Sequence, residues 1–197
     1  ITPLVDLMSL SAHKFGGPKG VGVLTMRDGV RLAPIIVGGG QERERRSGTH
    51  NVAGIVALAE ALTITDAERD RENERLAVLR DRLVDGLTAQ LDGVRETLPR
   101  DAKIAGSAHV CFAGIESEAL LFLLDEAGVG ASAAAACASG AQQASHVLAA
   151  LGVPMGPVSG ALRLSLGWTT TDADVDHVLD VLPNAVGKLR AASGRLP

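Results

Sequence analysis

Four stretches of the chain carry residue types that could do chemistry. The first, "SAHKFGGPKG", places Ser11, His13 and Lys14 between an apolar run and a glycine–proline turn. A lysine that directly follows an apolar strand is expected to end partly buried. Burial lowers a lysine pKa and frees the neutral amine that attacks a carbonyl. Ser11 and His13 alternate along the strand end, where they could hold an anion beside Lys14. A phosphate loop would need G-x-x-x-x-G-K-[ST], but Lys19 is followed by Gly20, so that pattern fails. The alternative is an ordinary surface turn with solvated lysines.

The second stretch is "GGGQERERRSGTH". Its three glycines, then Ser47 and Thr49 before a helix, make a plausible anion site, with hydroxyls and a helix amino terminus as donors. Acidic and basic residues interleave there, so a flexible solvated loop is the competing reading. The third, "GASAAAACASGAQQASHVLAALG", holds Cys137. It reads either as a mobile loop of small residues carrying a nucleophilic thiol, or as an alanine-rich helix with a small buried cysteine. Cys111, in "HVCFAGI", reads as core. The spacing of His109, Cys111, Cys137 and His146 matches no common zinc pattern, and no metal is expected. The fourth is "ALRLSLGW", where Arg163 interrupts an apolar strand. It is either ion-paired or a bidentate clamp for a carboxylate.

The elements that must position these residues alternate in type. "LVDLMSLSA" reads as a buried strand, "VGVLTMR" as a second and "RLAPIIVGGG" as a short third. From Asn51 to about Leu91 the pattern is helical, as one helix or a pair, with Leu76, Leu79, Leu83, Leu87 and Leu91 on one face. Its charged middle, "DAERDRENER", reads as solvated. Then come a strand "AHVCFAGI", and a helix "ESEALLFLLDEAG" whose apolar side is Ala119, Leu120, Phe122, Leu123 and Leu124, with Gly128 as its end. A short helix "SHVLAALG" capped by Ser145 precedes the strand "ALRLSLGW". Arg163 and Ser165 there lie opposite Leu162, Leu164 and Leu166. The last helix starts at threonine and aspartate, ends near Lys188 and Arg190, and is expected to kink or break at Pro183. Strands alternating with helices predict an α/β or α+β fold, with a domain boundary near Thr65 and domains at 1–65 and 66–197.

Bulk properties narrow the function classes. Of 197 residues, 46% are hydrophobic and 21% charged, enough for a core and too apolar for a disordered chain. Aromatics are only 2%, so that core must be aliphatic. A formal charge of −4 argues against a general nucleic-acid footprint. No run of 18 apolar residues predicts a membrane span. Two cysteines without a framework fit a reducing cytoplasm. The chain opens inside an apolar strand at Ile1, as expected of a fragment whose amino-terminal part is missing.

Together, in this order, the four stretches resemble the cysteine desulfurases of the class V aminotransferase group. "DLMSLSAHKFGGPKGVGVL" resembles that family's cofactor-lysine segment, and "GGGQERERRSGTHNVAGIVALAEAL" its glycine-rich loop and following helix. "ASAAAACASGAQQASHVLAALG" resembles the catalytic cysteine loop, and "ALRLSLGWTTTDADVDHVLDVLP" the carboxy-terminal signature. The resemblance implies a pyridoxal-phosphate transferase fold: the end of its large domain at 1–65 and its small domain at 66–197. It implies that Lys14 binds pyridoxal 5'-phosphate covalently, with Ser11 and His13 on the cofactor phosphate and Thr49 on that of a neighbouring subunit in a homodimer. It implies Cys137 as nucleophile and Arg163 on the carboxylate of L-cysteine. Sulfur would pass to an acceptor such as an iron–sulfur scaffold, which the length of 131–146 favours. The family's remaining cofactor ligands lie upstream of this lysine. Ala134, Ala135 and Ala136 replace its usual glycine, serine and alanine, which predicts a stiffer loop. The rival expectations are another class V enzyme, an aminotransferase or selenocysteine lyase, and a non-catalytic fragment.

Overall fold

A computed structural model describes residues 4–133, 146–152 and 159–194. They belong to two compact units, Ile1–Asp70 and Arg71–Pro197. The architecture is mixed α/β.

In the first unit, β1 (Leu7–Ser11) and β2 (Gly22–Met26) pair antiparallel, with Leu7 opposite Met26 and Ser11 opposite Gly22. A single 3-10 turn, Ala12–Lys14, follows β1. Ala12 is fully buried and ties this connection together. Its carbonyl accepts from the amides of Phe15 (3.1 Å) and Gly17 (2.9 Å), and its own amide donates to Val21 (3.2 Å). Only glycine fits at position 17, because a Cβ there would lie 2.8 Å from the Cβ of Ala12. The strand over "LVDLMSLSA" forms but is not buried: Leu7, Met8 and Leu24 are 41%, 38% and 46% exposed. A two-stranded hairpin has too few neighbours to bury its own faces.

The strand expected in "RLAPIIVGGG" is absent; residues 31–40 are irregular. Pro34 has no amide to donate to a ladder. The next turn, α1 (Gln41–Glu44), carries Glu42, Arg43 and Glu44 at φ 52°, 56° and 62°. Three successive side chains in the left-handed region cost roughly 1–2 kcal/mol each. From Val52 a single helix, α2 (Val52–Gln90), runs for 39 residues. Asn51 caps it, its Oδ1 accepting from the amide of Gly54 at 3.0 Å.

The second unit is built on a four-stranded antiparallel sheet of order β3-β4-β6-β5. Its strands are β3 (Val94–Glu96), β4 (Ser107–Ala113), β5 (Ser132–Ala133) and β6 (Ser159–Ser165). The short β3 and β5 are absent from the sequence reading; runs of three and two residues have no periodicity of their own. One sheet face buries Ala108, Val110 and Phe112 of β4 with Leu162 and Leu164 of β6. Against them pack Leu79, Leu83, Val84 and Leu87 of α2, Leu120 and Leu124 of α3 (Ser117–Glu126), and Val175, Leu182 and Val186 of α5 (Asp172–Ala192). Leu79, Leu83, Leu87 and Leu91 of the leucine stripe expected on α2 therefore do face the core. At Gly86 the contact is close: an added Cβ would meet Leu179 of α5 at 2.6 Å.

Helix α3 stops where expected. Gly128 takes φ +76°, its amide bonds Asp125 at 2.9 Å, and the amide of Val129 bonds Leu124 at 2.8 Å. These two bonds make a Schellman motif, with buried Val129 folded back on Leu124. Phe122, expected on the apolar side, is 65% exposed, because two residues along a helix is about half a turn from Leu120 and Leu124. Helix α5 continues through Pro183 without a break. Buried Leu182, Ala185 and Val186 anchor both sides of the proline, outweighing one lost backbone bond. The opposite sheet face carries a small cluster of Cys111, Ala161 and Leu148, the last from α4 (His146–Ala150). Ser145, the expected cap of α4, lies outside the described residues.

Candidate functional site

Ser11 ends β1, and His13 and Lys14 complete the 3-10 turn that follows. The structure holds this turn from two sides. Ala12 and Gly17 fix the backbone, and Thr65 of α2 donates its hydroxyl to the carbonyl of Phe15 at 3.1 Å. Lys14 is exposed, which corrects the expectation of a partly buried amine. A turn projecting from the end of an uncovered hairpin places no apolar layer around its side chains. Ser11 and His13 are exposed as well.

The glycine-rich loop offers fewer donors than its sequence promises. The Ser47 hydroxyl is buried and already donates to the carbonyl of Gly39 at 2.6 Å. The Gly48 amide donates to the Gln41 side chain at 3.2 Å. One amino-terminal amide of α2, that of Gly54, is taken by Asn51. Thr49 remains exposed, and His50 lies 3.1 Å from Glu42.

Among the described residues, no hydrogen bond or ion pair engages the side chains of Ser11, His13, Lys14 or Thr49. Hydroxyls and an imidazole can donate to a phosphate, and an amine can condense with an aldehyde. Lys14 can supply a covalent link, Ser11 and His13 can supply phosphate donors beside it, and Thr49 can supply one to the phosphate of a neighbouring subunit. This set fits a phosphorylated aldehyde cofactor.

In the second unit, Arg163 stands in β6 directly opposite His109 of β4 and Ser132 of β5. It is exposed, on the face away from Leu162 and Leu164, as alternation requires. Among the described residues no carboxylate lies within ion-pair distance of its guanidinium. A structural ion pair is thus not what holds it, and its fork is available to a ligand carboxylate. Arg75 was hidden in the charged middle of α2. It is not a solvated spacer: its guanidinium donates to the carbonyls of Thr170 (2.6 Å), Gly167 (3.1 Å) and Trp168 (3.4 Å). These contacts fix the turn that leaves β6. Only a tertiary contact distinguishes Arg75 from its neighbours in "DAERDRENER".

Cys111 is buried, and burial pushes its thiol up, so it is a poor nucleophile at neutral pH. Cys137 lies outside the described residues.

The family profile described as aminotransferase class-V matches residues 4–178. A protein of Gluconacetobacter diazotrophicus named cysteine desulfurase is 47% identical over 189 residues, covering 96% of this chain and 47% of its own length. An IscS-like cysteine desulfurase of Mycobacterium tuberculosis is 48% identical over 190 residues, with 96% and 48% coverage. Among solved structures, a NifS-like protein superposes with a TM-score of 0.83 at 38% identity, covering 94% of this chain and 47% of its own. The chain spans about half the length of the curated relatives it matches.

Proposed function

Because the chain belongs to the aminotransferase class V family, we propose that it carries the lysine, cysteine and carboxylate-binding parts of a pyridoxal-phosphate-dependent cysteine desulfurase. Its substrate is L-cysteine, its products L-alanine and a protein persulfide. The working form is a cytoplasmic homodimer that passes sulfur to an acceptor such as an iron–sulfur scaffold. In domain terms, residues 1–65 are the end of the large cofactor domain and 66–197 the small domain. The observation that carries this reading is the unengaged Ser11–His13–Lys14 turn, held in shape by Ala12, Gly17 and Thr65. The likeness to proteins named cysteine desulfurase supports it.

Bound pyridoxal phosphate supplies an electron sink for the substrate's Cα. The chain's own residues do the rest. Ser11 and His13 would hold the phosphate, Thr49 would reach the phosphate of the neighbouring subunit's cofactor, and Lys14 would hold the cofactor through its amine. The Lys14 amine would move the proton of the substrate's Cα. Arg163 fixes the substrate carboxylate. The Cys137 thiolate attacks the substrate sulfur: an S–S bond forms, the C–S bond breaks, its electron pair stays on carbon, and carbon takes a proton to become alanine.

The test uses the 197-residue chain as it is. It is mixed with pyridoxal phosphate, reduced with borohydride and digested, and the labelled peptide is identified by mass spectrometry. Label concentrated on Lys14 and lost in Lys14→Arg is the expected result. Label spread over Lys19, Lys103 and Lys188 as well would overturn the assignment of the turn.

A further inference from the structure

A polar row crosses all four strands on the sheet face away from the main core. Thr97, just past β3, donates its amide to the carbonyl of His109 at 3.2 Å, and its hydroxyl lies 2.9 Å from His109 Nδ1. His109 faces Arg163, and Arg163 faces Ser132. Directly opposed residues on antiparallel strands place their Cβ atoms roughly 4.5–5.5 Å apart, so imidazole and guanidinium stems are neighbours. Thr97 occupies Nδ1. Among the described residues nothing engages Nε2. The row therefore presents one permanent cation and, beside it, one half-buried base with a free nitrogen.

We propose that His109 and Arg163 form a single carboxylate site in which the imidazole takes up a solvent proton on Nε2 as the carboxylate arrives. The proposal rests on Arg163 being the carboxylate anchor. In the free chain, burial and then the charges of Arg163 and Lys103 hold the His109 pKa below its ordinary value, so the ring is neutral at pH 7. A bound carboxylate cancels the repulsion from Arg163 and adds an attraction. Proton affinity at the ring rises, and by linkage carboxylate affinity rises as pH falls through the histidine range. The other charged and titratable groups near this row do not titrate the same way. Lys103 is ion-paired with Glu96, Arg95 stands opposite Cys111, and the Cys111 thiol stays protonated throughout that range. The ligand class is a small monocarboxylate, an α-amino acid included.

The probe is L-alanine, titrated into the full chain from pH 5.5 to 8, with the His109 ring signals read by NMR and assigned through His109→Gln. Saturating alanine should raise the His109 midpoint by about one pH unit, equivalent to an affinity change of about tenfold across the titration. His109→Gln should keep binding but lose its pH dependence. Thr97→Val, which frees Nδ1 while leaving both ligating groups, should shrink the dependence without abolishing it. Arg163→Gln should abolish binding at every pH. Unchanged pH dependence in His109→Gln, with binding lost in Arg163→Gln, overturns the His109 proposal alone. Binding that survives Arg163→Gln overturns the anchor itself. No saturable binding to the native chain overturns both.

Discussion

In the second unit, Phe112, Leu120, Leu124, Leu162 and Leu182 are all fully buried between one sheet face and helices α2, α3 and α5. In the first unit, the buried hydrophobic residues among those described are Ala12 and Leu58, while Ile35 and Val37 are 97% and 75% exposed. The same chain thus uses two ways of holding a candidate site residue. Arg163 sits in an interior strand, its direction set by register on both sides and by a core behind it. Lys14 sits on a turn set by local backbone geometry: three bonds through Ala12, a glycine with no room for a Cβ, and one bond from Thr65. Position can be secured by burial or by backbone chemistry, and the two fail differently when mutated.

Core truncation should show the contrast most strongly. Phe112→Ala removes a fully buried ring and should cost about 3–5 kcal/mol in urea unfolding followed by circular dichroism. Leu24→Ala, at a half-exposed strand position, should cost less than about 1 kcal/mol. Equal losses would break the comparison.

Next comes Gly17→Val. Its Cβ must push against Ala12, and overpacking of this kind costs about 1–3 kcal/mol. The expected readout is severalfold weaker borohydride-fixed label at Lys14, with the urea midpoint of the second unit unchanged. A matching fall in that midpoint would mean that the two units are not held by separate means.

The smallest effect concerns the start of α5. Thr171 and Asp174 form a capping box, the Thr171 hydroxyl accepting from the Asp174 amide at 3.3 Å and the Asp174 carboxylate accepting from the Thr171 amide at 2.8 Å. Thr171→Ala should cost about 1 kcal/mol in the same urea experiment. Hydrogen bonds from Thr171 hold the Asp174 carboxyl below its ordinary pKa. The sign follows: the cap contributes fully above the ordinary aspartate range, about pH 4, and is lost as pH falls through the depressed value. The native chain should therefore lose its advantage over Thr171→Ala on acidification. A gap that persists at pH 2 would assign the effect to the threonine alone.

Much of the second unit was legible because its elements are long and periodic. The leucine stripe of α2, the alternation in β6 and the glycine end of α3 each follow from spacing alone. Phe122 was misplaced because an all-apolar helix segment does not mark which face is covered. The first unit was harder for the same physical reason that it is exposed. "LVDLMSLSA" and "RLAPIIVGGG" are apolar runs, and an apolar run reads as buried whether or not anything covers it. Ser47 looked like a donor because its type allows it; the structure spends its proton on Gly39.

What the sequence alone determined is the chemistry on offer and its order along the chain: an amine and imidazole before a glycine turn, a glycine-rich loop, a thiol among alanines, and an arginine in an apolar strand. Residue type and spacing are local properties, and they suffice for recognising a family. Only the tertiary structure decided which groups are free to act. It left Lys14 exposed and unengaged, occupied Ser47 and the Gly54 amide, gave Arg75 to the turn after β6, and set His109 beside Arg163. Those outcomes depend on which donors and acceptors meet across the fold. The pairing of residues 54 positions apart, such as His109 and Arg163, is fixed by strand register, which no local pattern encodes.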